Sequence, residues 1–307
     1  MTTTMDRPPA KTSGEPPRVR RRTTGGTVRH TRGTRVLVLV GLALFTLYSL
    51  APVWWLLVAA TKSQRDLYTT NGLWFSEFHF WDNLKDLFTY QDGIFLRWMW
   101  NTLFYGFAGT IGMTLVCVAC GYGLAMYRFR GRGVLMACII GSFLIPGALL
   151  TIPSFLLYTD LRLIDTPWAI IVPGFFNAFS VYLAKVYAEG AIPPELLEAA
   201  RIDGAGEYRI FFQIGARLMS TGAATIFVLG FVGAWNNFFG PLVYLRSSEK
   251  WTVMLGLYSW LKVKVDSSVD LTGLVVVGSI VSLIPMVILM LSMQRYWRSG
   301  VTMGSLK

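Results

Sequence analysis

Apolar residues fill six long stretches of this chain that contain no Asp, Glu, Lys, Arg or His: 36–61, 102–126, 134–159, 167–184, 218–245 and 271–293. A helix rises about 1.5 Å per residue and the hydrocarbon core of a membrane is about 30 Å thick, so roughly 20 residues cross it. The fourth stretch is the shortest. Its helix is expected to continue to residue 188, because Lys185 can extend its charge to the interface. The pattern predicts an all-α integral membrane protein with six transmembrane helices.

The composition supports a membrane as the solvent. Hydrophobic residues make up 53% of the chain, charged residues only 15%, and the mean hydropathy is +0.49. A soluble domain could not bury that much apolar surface. Proline recurs within the predicted spans, at positions 146, 153, 173, 241 and 285. Each proline removes a backbone hydrogen bond and bends a helix, which favours a transport route over a passive membrane scaffold.

The formal net charge of +11 is distributed unevenly. Nineteen of the 28 Lys and Arg lie in the N-terminal tail 1–35, the loops 127–133 and 185–217, and the C-terminal tail. Basic loops are retained in the cytoplasm during insertion, so both termini are predicted to be cytoplasmic. The tail 1–35 is rich in Thr, Pro, Gly and Arg and is expected to be disordered. Its charge could also attract acidic lipid or nucleic acid, but we favour the orientation signal and predict no nucleic-acid partner.

Ion coupling, metal binding and ATP hydrolysis find no support in these residues. No carboxylate, Lys, Arg or His lies at mid-membrane depth, where ion-coupled carriers place titratable groups. The three cysteines lie in apolar runs and both histidines lie outside the spans, so no metal site is predicted. No lysine directly follows a glycine, which excludes the phosphate-binding loop of P-loop ATPases. A stand-alone secondary transporter or channel, a scaffold and, last, a membrane enzyme remain as alternatives.

The longest predicted cytoplasmic loop, 192–216, contains a short helix with clear ends. Pro194 suits a first helical turn, Glu195 favours the positive end of the helix dipole, and Asp203 with Gly204 predicts a turn. Glu195, Glu198 and Arg201 form a polar row beside small alanines. Such a helix suits docking into a groove of a partner protein. The alternative is an amphipathic helix lying on the membrane, which the small alanines make less attractive.

This loop resembles the EAA loop of permeases in binding-protein-dependent ATP-binding cassette importers, particularly the maltose-type carbohydrate family. The resemblance is carried by Glu198-Ala199-Ala200, three residues, Gly204, nine residues and Ile214. Further similar segments are Trp81-Asp82-Asn83-Leu84, Asn101-Thr102, Tyr127-Arg128-Phe129-Arg130-Gly131, Trp235-Asn236-Asn237-Phe238, Gln294-Arg295-Tyr296 and 300–307. Family members usually have prolines where this chain has Arg217 and Thr221, and commonly an acid at the place of Asn237. The missing prolines put the bend entering the fifth helix in doubt.

The resemblance implies the type I importer permease fold, with a permease domain over 36–296 and a cytoplasmic tail at 297–307. It implies a second permease subunit, an ATPase dimer that binds ATP and Mg, and an extracytoplasmic solute-binding protein, in a bacterial plasma membrane. This chain itself would need no cofactor and would not be an enzyme. The implied ATPase contacts are Glu198, Ala199, Ala200, Asp203 and Gly204, with Gly300, Thr302, Gly304 and Lys307 as additional contacts in the tail.

Polar residues within the spans are candidates for the solute path: Asn177, Ser180, Asn236 and Asn237. Each could equally make an interhelical hydrogen bond, which is the commoner role of such residues. The resemblance favours a sugar, oligosaccharide or polyol as solute and leaves glycerol phosphates and other solutes open.

Overall fold

A computed structural model of the protein describes the backbone of residues 32–266 and 269–303 and the side chains of 33–263 and 269–294. Over these residues every regular element is helical. The helices are α1 (Arg32–Ala60), α2 (Phe80–Thr89), α3 (Ile94–Met126), α4 (Arg132–Ser142), α5 (Thr151–Asp160), α6 (Ala178–Ala191), α7 (Pro194–Ile202), α8 (Glu207–Leu218), α9 (Ser220–Trp235), α10 (Phe239–Tyr244), α11 (Val253–Asp266) and α12 (Thr272–Met303). Short helical turns occur at Asp66–Thr69, Tyr90–Gly93, Gly147–Leu150, Trp168–Ile171, Pro173–Phe175 and Ser248–Lys250.

The chain divides into two compact units, residues 1–51 and 52–307. The first contributes the N-terminal part of α1, and all the other elements belong to the second. Residues 1–31 of the predicted basic tail lie outside the described residues. The last four residues of that tail, 32–35, are helical and begin α1, so the first helix starts earlier than predicted.

Among the described residues, four helical segments could cross a membrane unbroken, and the count is six when each of two bent helix pairs is taken as one span. Four helical segments are long and apolar enough to cross a membrane: Gly33–Ala60, Phe80–Met126, Trp168–Ala191 and Thr272–Gln294. Two bent pairs of helices pass the same test of length and hydropathy together, with Arg132–Ser142 and Gly147–Asp160 meeting at 97°, and α8 and α9 meeting at 72°. The prediction of six apolar segments therefore fits the fold, and the third segment is bent as its prolines predicted.

The boundaries of two predicted spans need correction. The second helix begins at Ile94 rather than at 102, because its charged first turns lie beyond the apolar run. The fifth predicted span, 218–245, is interrupted, since α9 ends at Trp235 and α10 starts at Phe239. In the break, the Asn237 Oδ1 accepts a hydrogen bond from the Gly240 backbone N–H at 3.2 Å and so caps α10.

Helix α3 is the central element of the second unit, since it packs against α6, α9 and α11. A Cβ added at Gly121 would lie 2.4 Å from the Ala184 Cβ and 2.7 Å from the Lys185 backbone nitrogen. Glycine at this position therefore lets α3 and α6 approach more closely than any other residue would allow. Many apolar side chains of the bent third span stay exposed, Leu144 by 83%, as lipid-facing residues do.

Two apolar cores lie toward opposite ends of α3. One joins α3 to α6, α7 and α8 through a cluster that includes Tyr122, Leu124, Ala184, Ala188, Leu197 and Ile210. The other joins α2 and the start of α3 to α11 and α12 through Leu87, Phe95, Trp98, Leu257, Trp260 and Val277. The first core carries the predicted coupling loop, and the second carries the loops at the other end of the spans.

Candidate coupling loop and solute cavity

The short helix predicted in the loop 192–216 is α7. Pro193 has extended backbone angles, Pro194 occupies the first turn, where its missing N–H needs no partner, and Glu195 follows it. At the other end Gly204 has φ +77°. The Ala205 N–H reaches back to the Ala200 carbonyl oxygen at 3.0 Å, which is the hydrogen bond of a Schellman cap. A residue with a side chain would be strained at position 204, which explains why glycine ends this helix.

The two faces of α7 differ sharply in burial. Leu197 is 3% exposed and lies in the core with Tyr122 and Ile210. Ala200 is partly buried and packs against the same core, so it supports α7 from beneath instead of lying on its outer face. The outer face presents Glu198, Ala199 and Ile202, and Ile202 is 87% exposed. Within the described residues the Glu198 carboxylate has no hydrogen-bond or ion-pair partner. Of the predicted contact residues, therefore, Glu198, Ala199, Asp203 and Gly204 are accessible.

Arg201 does not share the outer polar row with Glu195 and Glu198 as the sequence suggested. Its guanidinium donates to Glu207 at the start of α8, with Nε 2.7 Å from Oε1 and Nη2 3.3 Å from Oε2. The Tyr127 hydroxyl, just after α3, donates to Glu207 Oε2 at 2.6 Å. We call Tyr127, Arg201 and Glu207 the loop brace. The loop brace connects the end of α7 and the start of α8 with each other and with the end of the second span.

The electrostatics of the loop brace are consistent with a charged Glu207. The hydrogen bonds from Arg201 and then from Tyr127 lower the pKa of the Glu207 carboxyl. The same contact with Glu207 raises the pKa of the Arg201 guanidinium. Burial and the hydrogen bond to Glu207 raise the pKa of the Tyr127 hydroxyl well above its usual range. At neutral pH, therefore, Arg201 and Glu207 are ionised and Tyr127 is a protonated donor.

The bend into the fifth span is present although Arg217 and Thr221 stand where the family usually has prolines. Residues Phe211–Gly215 form a π-helical turn within α8. At the junction, Met219 is 1% exposed and has a ψ of 2°, outside the helical range, and the axis turns by 72°. A Cβ at Gly215 would lie 2.7 Å from the Tyr122 ring. The π turn and the buried junction thus give the bend that proline gives elsewhere.

A cavity of about 320 Å³ lies between α3, the broken fourth span and α9. Its lining contains Asn177, Ser180 and Asn237, three of the four residues predicted for a solute path. Other polar lining residues are Thr102, Tyr105, Thr110 and Thr252. The lining residues include no charged side chain. Asn236 does not line this cavity, so the prediction for that residue is not supported at this site.

Within the described residues, the side-chain hydrogen bonds of the three asparagines are local and do not join different spans. Asn177 Oδ1 caps α6 by accepting from the Ser180 backbone N–H at 2.9 Å. Asn237 caps α10, and Asn236 Nδ2 donates to the Val232 carbonyl oxygen at 2.8 Å, at the C-terminal end of α9. The side-chain amide groups of Asn177 and Asn237 therefore remain available in the cavity. The buried Thr252 hydroxyl, also in the lining, has no hydrogen-bond partner among the described residues.

At the other end of α3, one face of the helix holds the segment 248–253, a feature that sequence reasoning missed. Four side chains at helical spacing bind that segment's backbone. Three of them donate to carbonyl oxygens: Trp98 Nε1 to Ser248 at 2.7 Å, Asn101 Nδ2 to Glu249 at 2.8 Å and to Trp251 at 3.0 Å, and the Tyr105 hydroxyl to Lys250 at 3.0 Å. The fourth, the Thr102 hydroxyl oxygen, accepts from the Val253 N–H at 2.8 Å. The resemblance at Asn101-Thr102 was the available signal. Their partners, 150 residues away, could not be read from it.

A second clip joins the loop after α5 to the same region. Asp165 Oδ1 accepts from the backbone N–H groups of Arg246 and Ser247, and its Oδ2 accepts from the Ser247 hydroxyl at 2.6 Å and the Lys250 Nζ at 2.9 Å. Partial burial opposes ionisation, but the hydrogen bonds from Ser247 and Lys250 outweigh it and hold the pKa of the Asp165 carboxyl well below its usual range.

The predicted contacts in the C-terminal tail cannot be placed as side chains. Gly300 and Thr302 belong to the last turns of α12, where the backbone alone is described, and Gly304 and Lys307 lie outside the described residues. Among the described residues no group of His, Cys, Asp and Glu could hold a metal ion.

Comparison with known proteins agrees with this architecture. Residues 117–302 match the family described as binding-protein-dependent transport system inner membrane component. The arabinooligosaccharides transport system permease protein AraQ of Bacillus subtilis is 34% identical over 226 residues, 74% of this chain and 78% of AraQ. The sn-glycerol-3-phosphate transport system permease protein UgpE of Yersinia pestis is 26% identical over 278 residues, 89% of this chain and 98% of UgpE.

A solved structure is similar over most of the chain. A chain in the crystal structure of a bacterial ABC transporter involved in the import of the acidic polysaccharide alginate aligns with a TM-score of 0.75 and 27% identity. The alignment covers 87% of this chain and 98% of that one. The helical fold and its spans define a multi-pass permease of the inner membrane, of the kind found in ABC importers. The chain belongs to the family of binding-protein-dependent transport system inner membrane components.

Proposed function

We propose that this permease forms half of the translocation path of a sugar importer and receives mechanical work through α7. A separate ATPase dimer would bind ATP and Mg and seat the outer face of α7 in a cleft. A second permease subunit would complete the path, and an extracytoplasmic binding protein would deliver the solute. The family to which the chain belongs supports this assembly.

The observation that carries the proposal is the difference between the two faces of α7, one packed against the core and the other accessible. Its inner face is anchored by Leu197, and its turn is fastened by the ion pair of Arg201 with Glu207. Its outer face leaves Glu198 unpaired within the described residues, next to the small Ala199 and the exposed Ile202. A helix that is rigidly held on one face and accessible on the other is suited to transmit movement from a docked partner to the spans. Pro193 and Gly204 fix its ends.

The proposed orientation places α7 and both termini in the cytoplasm. The basis is the concentration of Lys and Arg in the tail 1–35 and in the loops 127–133 and 185–217. The loop brace joins the last two of these regions, since Tyr127 contacts Glu207. The clip at Asp165 and the segment 248–253 then face the extracytoplasmic side, where the binding protein would dock.

For the solute we propose a neutral sugar, oligosaccharide or polyol. The polar lining of the cavity consists of hydroxyl and amide groups, which pair with sugar hydroxyls, and it includes no charged side chain. The relative AraQ is named for arabinooligosaccharides, and UgpE for glycerol 3-phosphate. A phosphate or uronate would need a cation, which this half of the path does not place in the cavity. The second permease would then have to supply it.

The experiment that tests the coupling role is Glu198→Lys in the transporter assembled with its partner subunits in proteoliposomes. We expect solute uptake to fall at least tenfold while the subunits still co-purify and ATP hydrolysis continues. The matched control is Glu77→Lys, because Glu77 is an exposed acid in a loop at the other end of the spans. Unchanged uptake in Glu198→Lys would contradict the proposal.

A second measurement separates the importer from a stand-alone transporter or channel. Vesicles that contain only this chain should take up no labelled solute, with or without an ion gradient. Uptake by the chain alone, in the absence of ATP and partners, would favour a secondary transporter or a channel.

A further inference from the structure

A second, wholly different concavity lies on the outside of the spans. It is an open groove of about 390 Å³ between α3, α4 and α6, near the end that carries the loop brace. Its walls are formed on α3 by Cys120, Gly123, Leu124 and Tyr127, on α4 by Leu135 and Ile139, and near α6 by Phe176 and Val181, with Phe129 from the connecting loop. Apart from the Cys120 thiol and the Tyr127 hydroxyl, these side chains are apolar.

Neighbouring side chains do not fill this groove at Gly123. A Cβ built at Gly123 would have no heavy atom of the described residues within 4 Å. At Gly121, two residues away, the Ala184 Cβ would be 2.4 Å distant. Glycine at 121 is explained by helix packing, whereas packing within the chain does not explain glycine at 123. The groove therefore has room for an apolar ligand from outside the chain.

Helical spacing places positive charge at one end of the groove. On α4, Arg132, Leu135 and Ile139 follow at intervals of three and four residues, so the arginine lies on the face that lines the groove. On α6, Lys185 lies one turn beyond Val181 on the same face. Both cations lie toward the loops, at the end of the apolar wall, where a lipid headgroup would be.

The charges at this end are not balanced. Arg132 Nη2 and Lys185 Nζ share one oxygen of Glu189, at 3.4 Å and 2.7 Å. Arg128 and Arg130, in the loop on either side of Phe129, are exposed and make no hydrogen bond or ion pair with the described residues. Three arginines and one lysine thus lie on the groove-lining face of α4 and α6 or in the adjoining loop, and Glu189 is the carboxylate that pairs with two of them. The other acid near this end, Glu207, is paired with Arg201.

We infer that this groove binds one acyl chain of an anionic phospholipid, with the lipid phosphate held by Arg132, Lys185 and the loop arginines. An acyl chain in the groove would cover the apolar wall and be covered by it. The lipid phosphate would pair with the excess positive charge at the end of the groove. A helix of the second permease is the other conceivable occupant. It would have to bring acidic side chains to a membrane interface that is typically basic, so the charge pattern favours the lipid.

The site is coupled by contact to the solute path. Phe176 lines the groove on one side and the solute cavity on the other, at the break where Phe176 and Asn177 are extended. A bound acyl chain would therefore support the outer surface of a residue whose inner surface forms the cavity wall. Anionic lipid should consequently raise uptake as well as bind. The leaflet concerned, the cytoplasmic one, depends on the orientation proposed above, whereas the binding itself does not.

Binding is tested on the purified full chain by native mass spectrometry after incubation with phosphatidylglycerol or phosphatidylcholine. Wild type is expected to retain one phosphatidylglycerol with at least a fivefold preference. In Gly123→Leu, whose added side chain fills the groove, retention of both lipids should fall. In the triple variant Arg128→Gln, Arg130→Gln, Arg132→Gln, the preference should disappear. The controls are Gly133→Leu, on α4 but outside the groove, and Arg97→Gln, an exposed arginine near the other end of α3.

Equal retention of the two lipids by wild type, or loss of the preference in the controls, would overturn the inference. A photoactivatable residue in place of Leu135 in the assembled transporter identifies the occupant directly. A lipid adduct supports the inference, and an adduct with the second permease replaces it with a subunit interface. Size-exclusion profiles and tryptophan fluorescence establish that each variant is folded. None of these readouts uses solute uptake, so a failure here is distinct from a failure of the coupling proposal.

Discussion

The Tyr127 hydroxyl donates a 2.6 Å hydrogen bond to the Glu207 carboxylate across 80 residues of sequence. It connects the end of the second span with the residue from which the fifth span's segment begins. Because Glu207 also holds Arg201 at the end of α7, one carboxylate fixes α7 relative to α3 and α8. A force applied to the outer face of α7 would therefore reach α3 and α8 together.

Removing the Tyr127 hydroxyl tests this connection. Tyr127→Phe keeps the ring in the apolar core and removes the donor, which costs about 1 kcal/mol for a partly exposed contact. We expect amide hydrogen exchange in residues 194–202 to rise several-fold and uptake to fall two- to fivefold at an unchanged permease level. Tyr208→Phe is the control, because the neighbouring Tyr208 is 85% exposed. Equal effects of the two substitutions would show that the Tyr127 hydrogen bond does not stabilise α7.

The loop brace should also weaken in acid. The pKa of Glu207 is lowered by its hydrogen bonds with Arg201 and Tyr127, so its stabilisation is present above the unfolded-state pKa of about 4.3 and is lost as the pH falls through the lower, folded-state pKa. We expect exchange in 194–202, corrected for intrinsic rates, to be constant from pH 7 to about 5 and to increase below about pH 4. In Glu207→Gln the increase should be absent. A wild-type profile without an acid limb would contradict this assignment.

Close packing of α3 on α6 depends on Gly121. In Gly121→Val the added side chain would clash with the Ala184 Cβ and with the backbone at Lys185. These atoms cannot move aside, unlike the end of a flexible side chain. We expect the chain to be lost from the membrane or to show a large drop in thermal stability in a detergent unfolding assay. Gly123→Val, two residues away in open space, should assemble normally. A normal yield and melting temperature for Gly121→Val would refute the close approach.

The clip at Asp165 should contribute to stability through its charge. Asp165→Asn keeps the side chain's shape and tolerates the positive φ of 56° at this position, but it removes the ion pair with Lys250. We expect the free energy of unfolding to fall by about 2 kcal/mol, as for a lost charged hydrogen bond. Asp160→Asn, an exposed acid just before the same loop, is the control. Thermal unfolding of the purified variants at neutral pH measures the difference.

The solute cavity can be filled without disturbing the packing. Gly233 lines the cavity, and in the part of the chain that the structure describes no atom lies within 4 Å of a Cβ added there. In Gly233→Leu we expect uptake to fall at least tenfold while assembly and ATP hydrolysis in the complex persist, because the side chain occupies the path. Gly141→Leu, equally unhindered on α4 and outside the cavity lining, should transport normally. Normal uptake by Gly233→Leu would show that solute passes elsewhere.

The local features of this protein follow from its sequence. Six charge-free runs identify the spans, since a charged side chain at mid-membrane depth is costly. The ends of α7 follow from Pro194 and Gly204, because backbone conformation at these residues is decided by their own covalent structure. The EAA segment likewise placed Glu198 on a helix, and the structure leaves this residue accessible.

Tertiary structure alone decided how these pieces are joined. It turned Arg201 from the outer polar row to Glu207, and it bent the fifth span at Met219 although no proline is near. It also brought Asn101 to backbone carbonyls about 150 residues away. Such pairings depend on contacts between distant segments, and periodicity along one helix holds no information about which partner lies opposite. The sequence thus determined where the helices are, and packing determined which side chains hold them together.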